Sequence, residues 1–181
     1  INPLNQNSFF INDEKTLCYM TKREELDLFS LEKIIEKGAD FKVIKNIASI
    51  NETPSFVEIK TPGQSYKASY LIGADGANSK VRKQIFKTKF YKKQFALEAD
   101  LKIDLIDRYQ MEFDFSKLKN GYFWIFPKDD HINIGIYSID SKVRLSTQTL
   151  FDYAKQRFGS NRLEAIKGYP ICTNGFNYKP D

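Results

Sequence analysis

The segment from Tyr70 to Arg82 constrains the chain more than any other. Three apolar residues, Tyr70, Leu71 and Ile72, precede Gly73-Ala74-Asp75-Gly76, and a short helix is expected to open near Ser79 with Val81 and Ile85 four apart. A strand running through a glycine-rich turn into a helix N-terminus lets backbone approach an anion closely. Glycine removes the side-chain obstruction, and free N–H groups with the helix dipole favour negative charge. Asp75 could not face an anion without repulsion. It is expected to accept a hydrogen bond from a hydroxyl, an arginine or a water. Read without that chemistry, the same residues make an ordinary strand–turn–helix connection with Asp-Gly as its turn.

The spacing Gly73, Ala74, Asp75, Gly76, Ser79, Arg82 resembles the second flavin motif of FAD-dependent oxidoreductases with the para-hydroxybenzoate hydroxylase fold. The resemblance implies that these six residues line an FAD site. It also covers Arg23, which opens a helix in an Arg-Glu-Glu-Leu-Asp run. Family members place an arginine there against the flavin cofactor. From the residues alone, Arg23 can equally pair with Asp27 one turn on.

A second similarity lies at Gly121-Tyr122-Phe123-Trp124-Ile125-Phe126-Pro127, followed after seven residues by Gly135. It resembles the signature of the geranylgeranyl reductase branch of that fold, departing from it at Tyr137 and Lys119. Tyr122, Trp124 and Phe126 project from one face of a strand, a surface suited to an apolar chain or ring or simply to a sheet core. The resemblance implies that Tyr122, Trp124, Phe126, Pro127 and Gly135 bind a small apolar or aromatic substrate. It further implies FAD as cofactor and NAD(P)H as reductant, with either double-bond reduction or hydroxylation as the reaction. No catalytic acid or base and no metal ligand is assigned.

Around these motifs the chain reads as α/β to α+β: a partial, Rossmann-like FAD-binding domain interleaved with a mostly antiparallel substrate-domain sheet. Residues 8–12 and 17–21 read as short strands of the sheet domain (1–20). Residues 21–88 form the FAD part. There Thr21 and Glu24 suggest a capping box, Leu28, Leu31, Ile34 and Ile35 make a core-facing helical stripe, and Gly38 ends the helix. Strands are expected at 41–47, 56–60 and 65–72, the last two joined by Pro62-Gly63. Residues 89–170 form the substrate part. Strict alternation over 95–104 and 109–115, then 122–126 and 131–137, predicts an antiparallel meander, followed by an amphipathic helix over 146–158. Residues 171–181 are the tail, and the stretch from Lys167 on, rich in Gly, Pro and Asn, is uninformative. His131, at a hairpin, reads as a surface residue.

Composition sets the outer limits. The chain has 181 residues, 28 basic and 23 acidic, with a net charge of +5. Seven of the basic residues fall between Lys80 and Lys93. A solvated helix face explains them, and nucleic acid is not the expected partner, because the aromatics follow core periodicity in strands rather than interleaving with the basic run. A peripheral membrane contact is left open, and so is a non-enzymatic binding module. Two distant cysteines and one histidine give no disulfide framework and leave little for histidine-based metal binding. With no signal peptide or membrane-spanning run visible, a cytoplasmic location is expected. None of the nine glycines forms Gly-x-Gly-x-x-Gly. The chain is therefore expected to be the central piece of such an enzyme and to bind no flavin alone.

Overall fold

A computed structural model describes residues 10–12, 14–87, 93–104, 110–140, 142–160 and 162–172. Ser8, Lys89, Lys92, Tyr109 and the tail beyond Cys172 lie outside the described residues. The chain divides into two compact units. One combines the residues up to Ser30 with Gln94–Ile171, and the other is Leu31–Lys93.

The first unit is built on a five-stranded sheet. Its strands are β4 (Lys93–Leu101), β5 (Glu112–Asp114), β6 (Gly121–Pro127), β7 (Ile132–Ser138) and β8 (Leu163–Cys172), in the order β5-β6-β7-β4-β8. The four segments expected to be strands are strands, but they do not form a plain meander. β4 pairs antiparallel with β7, not with β5. β8 pairs with the other edge of β4, its second half lying in the stretch from Lys167 on that carries no readable pattern. Its Gly168 fits the close approach, since a Cβ there would meet Leu97 Cδ2 at 3.0 Å.

Alternation assigns the two faces. Ala99, Leu101, Phe123, Ile125, Ile132, Ile134 and Ile136 are buried on one of them. The helix α3 (Thr147–Phe158) packs Leu150, Tyr153 and Ala154 against this face. Full burial of one such aliphatic side chain is worth about 1.5–3 kcal/mol. α3 begins at Ser146, whose hydroxyl accepts from Thr149 N at 3.2 Å, and ends at Gly159 with φ 70°. The Tyr153 ring stacks on Phe123 at 3.9 Å, and its hydroxyl donates to Asp114. Burial first, and then Asp114, push the Tyr153 phenol far up, so it stays protonated.

The second unit holds an antiparallel three-stranded sheet, β1 (Ser49–Glu52), β2 (Val57–Thr61) and β3 (Gln64–Ala68). Gly63, with φ 91°, makes the β2–β3 turn. The short helix α2 (Lys80–Ile85) is tied to β1 where Gln84 Oε1 accepts from Ile50 N at 2.6 Å. The helix α1 (Arg23–Glu36) runs through the division between the units. It closes with Gly38 at φ 89°, where Gly38 N donates to Ile35 O and Ala39 N to Ile34 O. That pair of bonds is the Schellman arrangement.

Several expectations fail here. Residues 17–21 form no strand, and neither do 41–47; β1 starts later, at Ser49. β3 stops at Ala68, so Tyr70–Ile72 leaves the ladder, with Tyr70 and Ile72 each 89% exposed. Among the described residues no strand flanks that segment to take its hydrogen bonds. Thr21 caps nothing by the expected box; its hydroxyl lies 3.4 Å from the Lys22 carbonyl. The α1 stripe is not core. Leu28, Ile34 and Ile35 are exposed, and no residue of α1 is buried. A helical period marks a face able to be buried; here Leu31 is half-buried and Leu28, Ile34 and Ile35 stay exposed.

Candidate functional site

The glycine turn of the second unit is held by its own aspartate. Gly76–Asn78 form one 3₁₀ turn and Ser79 caps α2, its hydroxyl accepting from Arg82 N at 2.9 Å. Asp75 Oδ2 accepts from Lys80 N at 2.6 Å and from Val81 N at 3.2 Å. Burial works against ionisation of this carboxyl. Hydrogen bonds from Ser79 and from the Val81 and Lys80 amides outweigh burial and hold it below the ordinary range. The sequence left Asp75 to find a hydroxyl, an arginine or a water; besides the Ser79 hydroxyl it takes two backbone amides, and so supplies negative charge at the helix terminus itself. Gly73 is required by packing, since a Cβ there would meet Val81 Cγ1 at 2.8 Å. Arg82 Nη2 donates to Ala77 O at 2.9 Å and braces the far side of the turn. Gly73, Ala74, Asp75, Gly76, Ser79 and Arg82 are thus brought together in one short bend, with Gly73–Gly76 exposed.

Arg23 belongs to the other unit and opens α1. Its Nε contacts Asp27 Oδ1 and Oδ2 at 2.7 and 2.8 Å. The i,i+4 ion pair therefore offsets the unfavourable position of a cation in a first helical turn.

The second candidate site is the face of the five-stranded sheet turned away from α3. Register lines its residues up in rows. One runs Phe113–Trp124–Gly135–Glu98, the next Tyr122–Tyr137–Ala96, and the third Phe126–Asn133–Asp100. On β5 and β6 the rings form a continuous cluster. Phe113 meets Tyr122 and Phe126 edge-on at 5.6 and 5.5 Å, Phe115 lies 5.4 Å from Tyr122, and Tyr122 lies 5.6 Å from Tyr137. Trp124 sits between Tyr122 and Phe126, at 6.3 and 6.0 Å. These are the separations at which aromatic rings attract. Gly135 is the seat of Trp124, because any Cβ there would collide with the indole ring. Pro127, the last residue of β6, closes the strand before a hairpin in which Lys128 N donates to His131 O at 2.8 Å.

Carboxylates border the rings on β4. Burial first, then repulsion from Asp100, raise the Glu98 carboxyl above its ordinary range. His131, expected at the surface, is buried at 8% exposure. Its Nδ1 lies 2.7 Å from Asp130 Oδ1 and its Nε2 lies 3.5 Å from Asp100 Oδ1. On this face the structure gathers Tyr122, Trp124, Phe126 and Gly135 of the motif with Phe113, Phe115, Tyr137, Asn133 and Asp100, which the motif did not name, while Pro127 pairs with Ile132 on the core side. Alternation carries the signal for the three aromatics. Asn133 and Asp100 become visible only once β4 is known to lie beside β7.

No protein-family model matches the chain. An uncharacterized protein of Methanosarcina barkeri is 35% identical over 176 residues, covering 94% of this chain and 45% of that protein. A digeranylgeranylglycerophospholipid reductase of Methanococcus vannielii is 26% identical over 159 residues, 83% of this chain and 40% of the reductase. Among solved structures, Klebsiella pneumoniae HpxO complexed with FAD and uric acid matches 83% of this chain and 42% of its own, with a TM-score of 0.53 at 15% identity. The chain spans less than half the length of the curated relatives it matches. Among the described residues no helix is long and apolar enough to cross a membrane. Over most of its length this chain is thus similar to part of digeranylgeranylglycerophospholipid reductases, and it shares its fold with part of a protein whose structure holds FAD.

Proposed function

We propose that the chain is the central part of a flavin-dependent reductase that saturates double bonds of an apolar, polyprenyl-like substrate. The observation that carries this reading is the aromatic face. Six rings gather on the side of the sheet that the core does not use, and a glycine lets the largest of them lie flat against the backbone. A flat apolar surface accepts an isoprenoid chain by contact area and needs few polar partners.

The residues of the glycine turn fit FAD in one respect and fail in another. Gly73–Gly76 offer exposed peptide groups on a bend fixed by Asp75, so backbone can approach a ribityl or phosphate oxygen. The α2 amides cannot hold a phosphate, because Asp75 already occupies them. In this reading Gly73, Ala74 and Gly76 contact the cofactor, and Asp75, Ser79 and Arg82 fix the bend. Bound FAD, reduced by NAD(P)H, supplies the hydride. The chain's own contribution is to position the alkene on Trp124 and its neighbours and to keep water from it.

The test uses the flavin-loaded protein that contains this chain, given an unsaturated archaeal-type phospholipid and dithionite without oxygen. Mass spectrometry should show one H2 gained per double bond. A hydroxylated product in air, with no saturation under nitrogen, would replace this reading with a monooxygenase.

A further inference from the structure

We propose that Asn133 is a positioning residue that locks the Trp124 indole across Gly135, and that Asp100 sets the direction of the lock. Trp124 Nε1 donates to Asn133 Oδ1 at 2.9 Å, and Asn133 Nδ2 donates to Asp100 Oδ1 at 3.0 Å. The indole N–H only donates and an ionised carboxylate only accepts, so the amide has one permitted orientation between them. Turned over, it would set donor against donor and acceptor against acceptor. Asp100 is fixed in turn by the buried His131, which Asp130 holds from its other ring nitrogen. Lys22 adds a further brace, at 3.3 Å from Asp130.

The lock matters because Gly135 removes any side chain that would confine the ring from below. The indole could then pivot about its own side-chain torsions, and a single directed hydrogen bond stops it. A fixed ring presents the same surface before and after a ligand arrives, which lowers the ordering cost of binding. That consequence rests on the proposed function; the lock itself does not.

Trp124 is the single tryptophan of the chain, so its emission reports this ring alone. The test measures acrylamide quenching and anisotropy of the unliganded 181-residue chain. In Asn133→Leu, the quenching constant should rise and the anisotropy should fall, because losing one partner of a hydrogen bond shifts the held-to-released ratio several-fold. The exchange Asn133→Asp with Asp100→Asn keeps the charge count. It leaves an acceptor facing the indole and a donor facing that acceptor, so quenching should return to the wild-type value. Wild-type quenching in folded Asn133→Leu would overturn the proposal. If that variant fails to fold, the exchange variant decides: quenching at the wild-type level supports the lock, and raised quenching refutes it. Flavin content and turnover play no part in the readout, so a failure here is distinct from a failure of the reductase reading.

Discussion

The two units use the same raw material differently. In the five-stranded unit, apolar residues at alternate positions meet α3, and Leu101, Ile132, Ile134, Ile136 and Leu150 are all fully buried. Along α1 and through Leu31–Lys93, a comparable supply of apolar residues buries one among the described residues, Ile50. Leu28, Ile34 and Ile35 keep helical spacing and Tyr70 and Ile72 keep strand spacing, yet all stay open to solvent. Periodicity states which face could be covered, whereas stability comes only when a covering surface exists. The first unit carries its cover in α3; among the described residues the second does not.

The largest effect should come from cutting into that cover. Leu150→Ala is expected to cost about 2–5 kcal/mol, the range for a buried leucine that leaves a cavity. Ile35→Ala, on the exposed stripe, should stay within about 0.5 kcal/mol. Chemical denaturation of both variants decides the matter, and equal losses would erase the contrast between the units.

Next in size is Gly135→Ala, which forces the Trp124 ring off its seat and should cost about 1–3 kcal/mol by overpacking. A red-shifted tryptophan emission should accompany the loss. An unshifted spectrum at unchanged stability would mean that the ring does not rest on that glycine.

Asp75→Ala sharpens the comparison from the other side, since the second unit leans on hydrogen bonds where the first leans on burial. The loss should be about 1 kcal/mol, as for other helix caps. The folded carboxyl titrates below its ordinary value of 3.8, so its contribution is present above that pH and fades as pH falls through the lower, folded value. Wild type and variant should therefore differ in melting temperature near neutrality and converge in strong acid. A constant gap down to the lowest pH would remove the carboxylate from the cap.

The smallest effect is expected at Glu98→Gln. Burial and Asp100 raise this carboxyl, so keeping it ionised in the folded chain costs stability as pH rises past its ordinary value of 4.5. The variant should gain on the order of 0.5 kcal/mol near neutrality and nothing in acid. A neutral-pH loss would show that the charge contributes to the face.

The strands β4 to β7 and the helix α3 were legible as elements because each carries its own alternation or helical period, but the pairing of β4 with β7 across two intervening strands was not. Ser79, Gly63, Gly38 and Gly159 were legible because caps and turns are local chemistry. Segment 41–47 and the α1 stripe were misread for a common reason: an apolar pattern was taken to imply a neighbour. β8 was missed because Gly168 and Pro170 look like breakers, although Gly168 serves a close approach to Leu97. At the site, the aromatic motif could be read from alternation. Asn133, Asp100 and His131 could not, since their meeting depends on β4 crossing to pair with β7.

The seating of Trp124 on Gly135 carries a further consequence, for how the two positions can change. One ring fills the space of two side chains, so neither residue is free to vary alone. A larger residue at 135 is harmful only while the indole is present, and a smaller residue at 124 leaves a hole that only a larger residue at 135 can fill. Substitutions at the pair should therefore be strongly non-additive, with the double change costing less than the sum of its parts. For anyone reshaping this face, the two positions form one unit of variation.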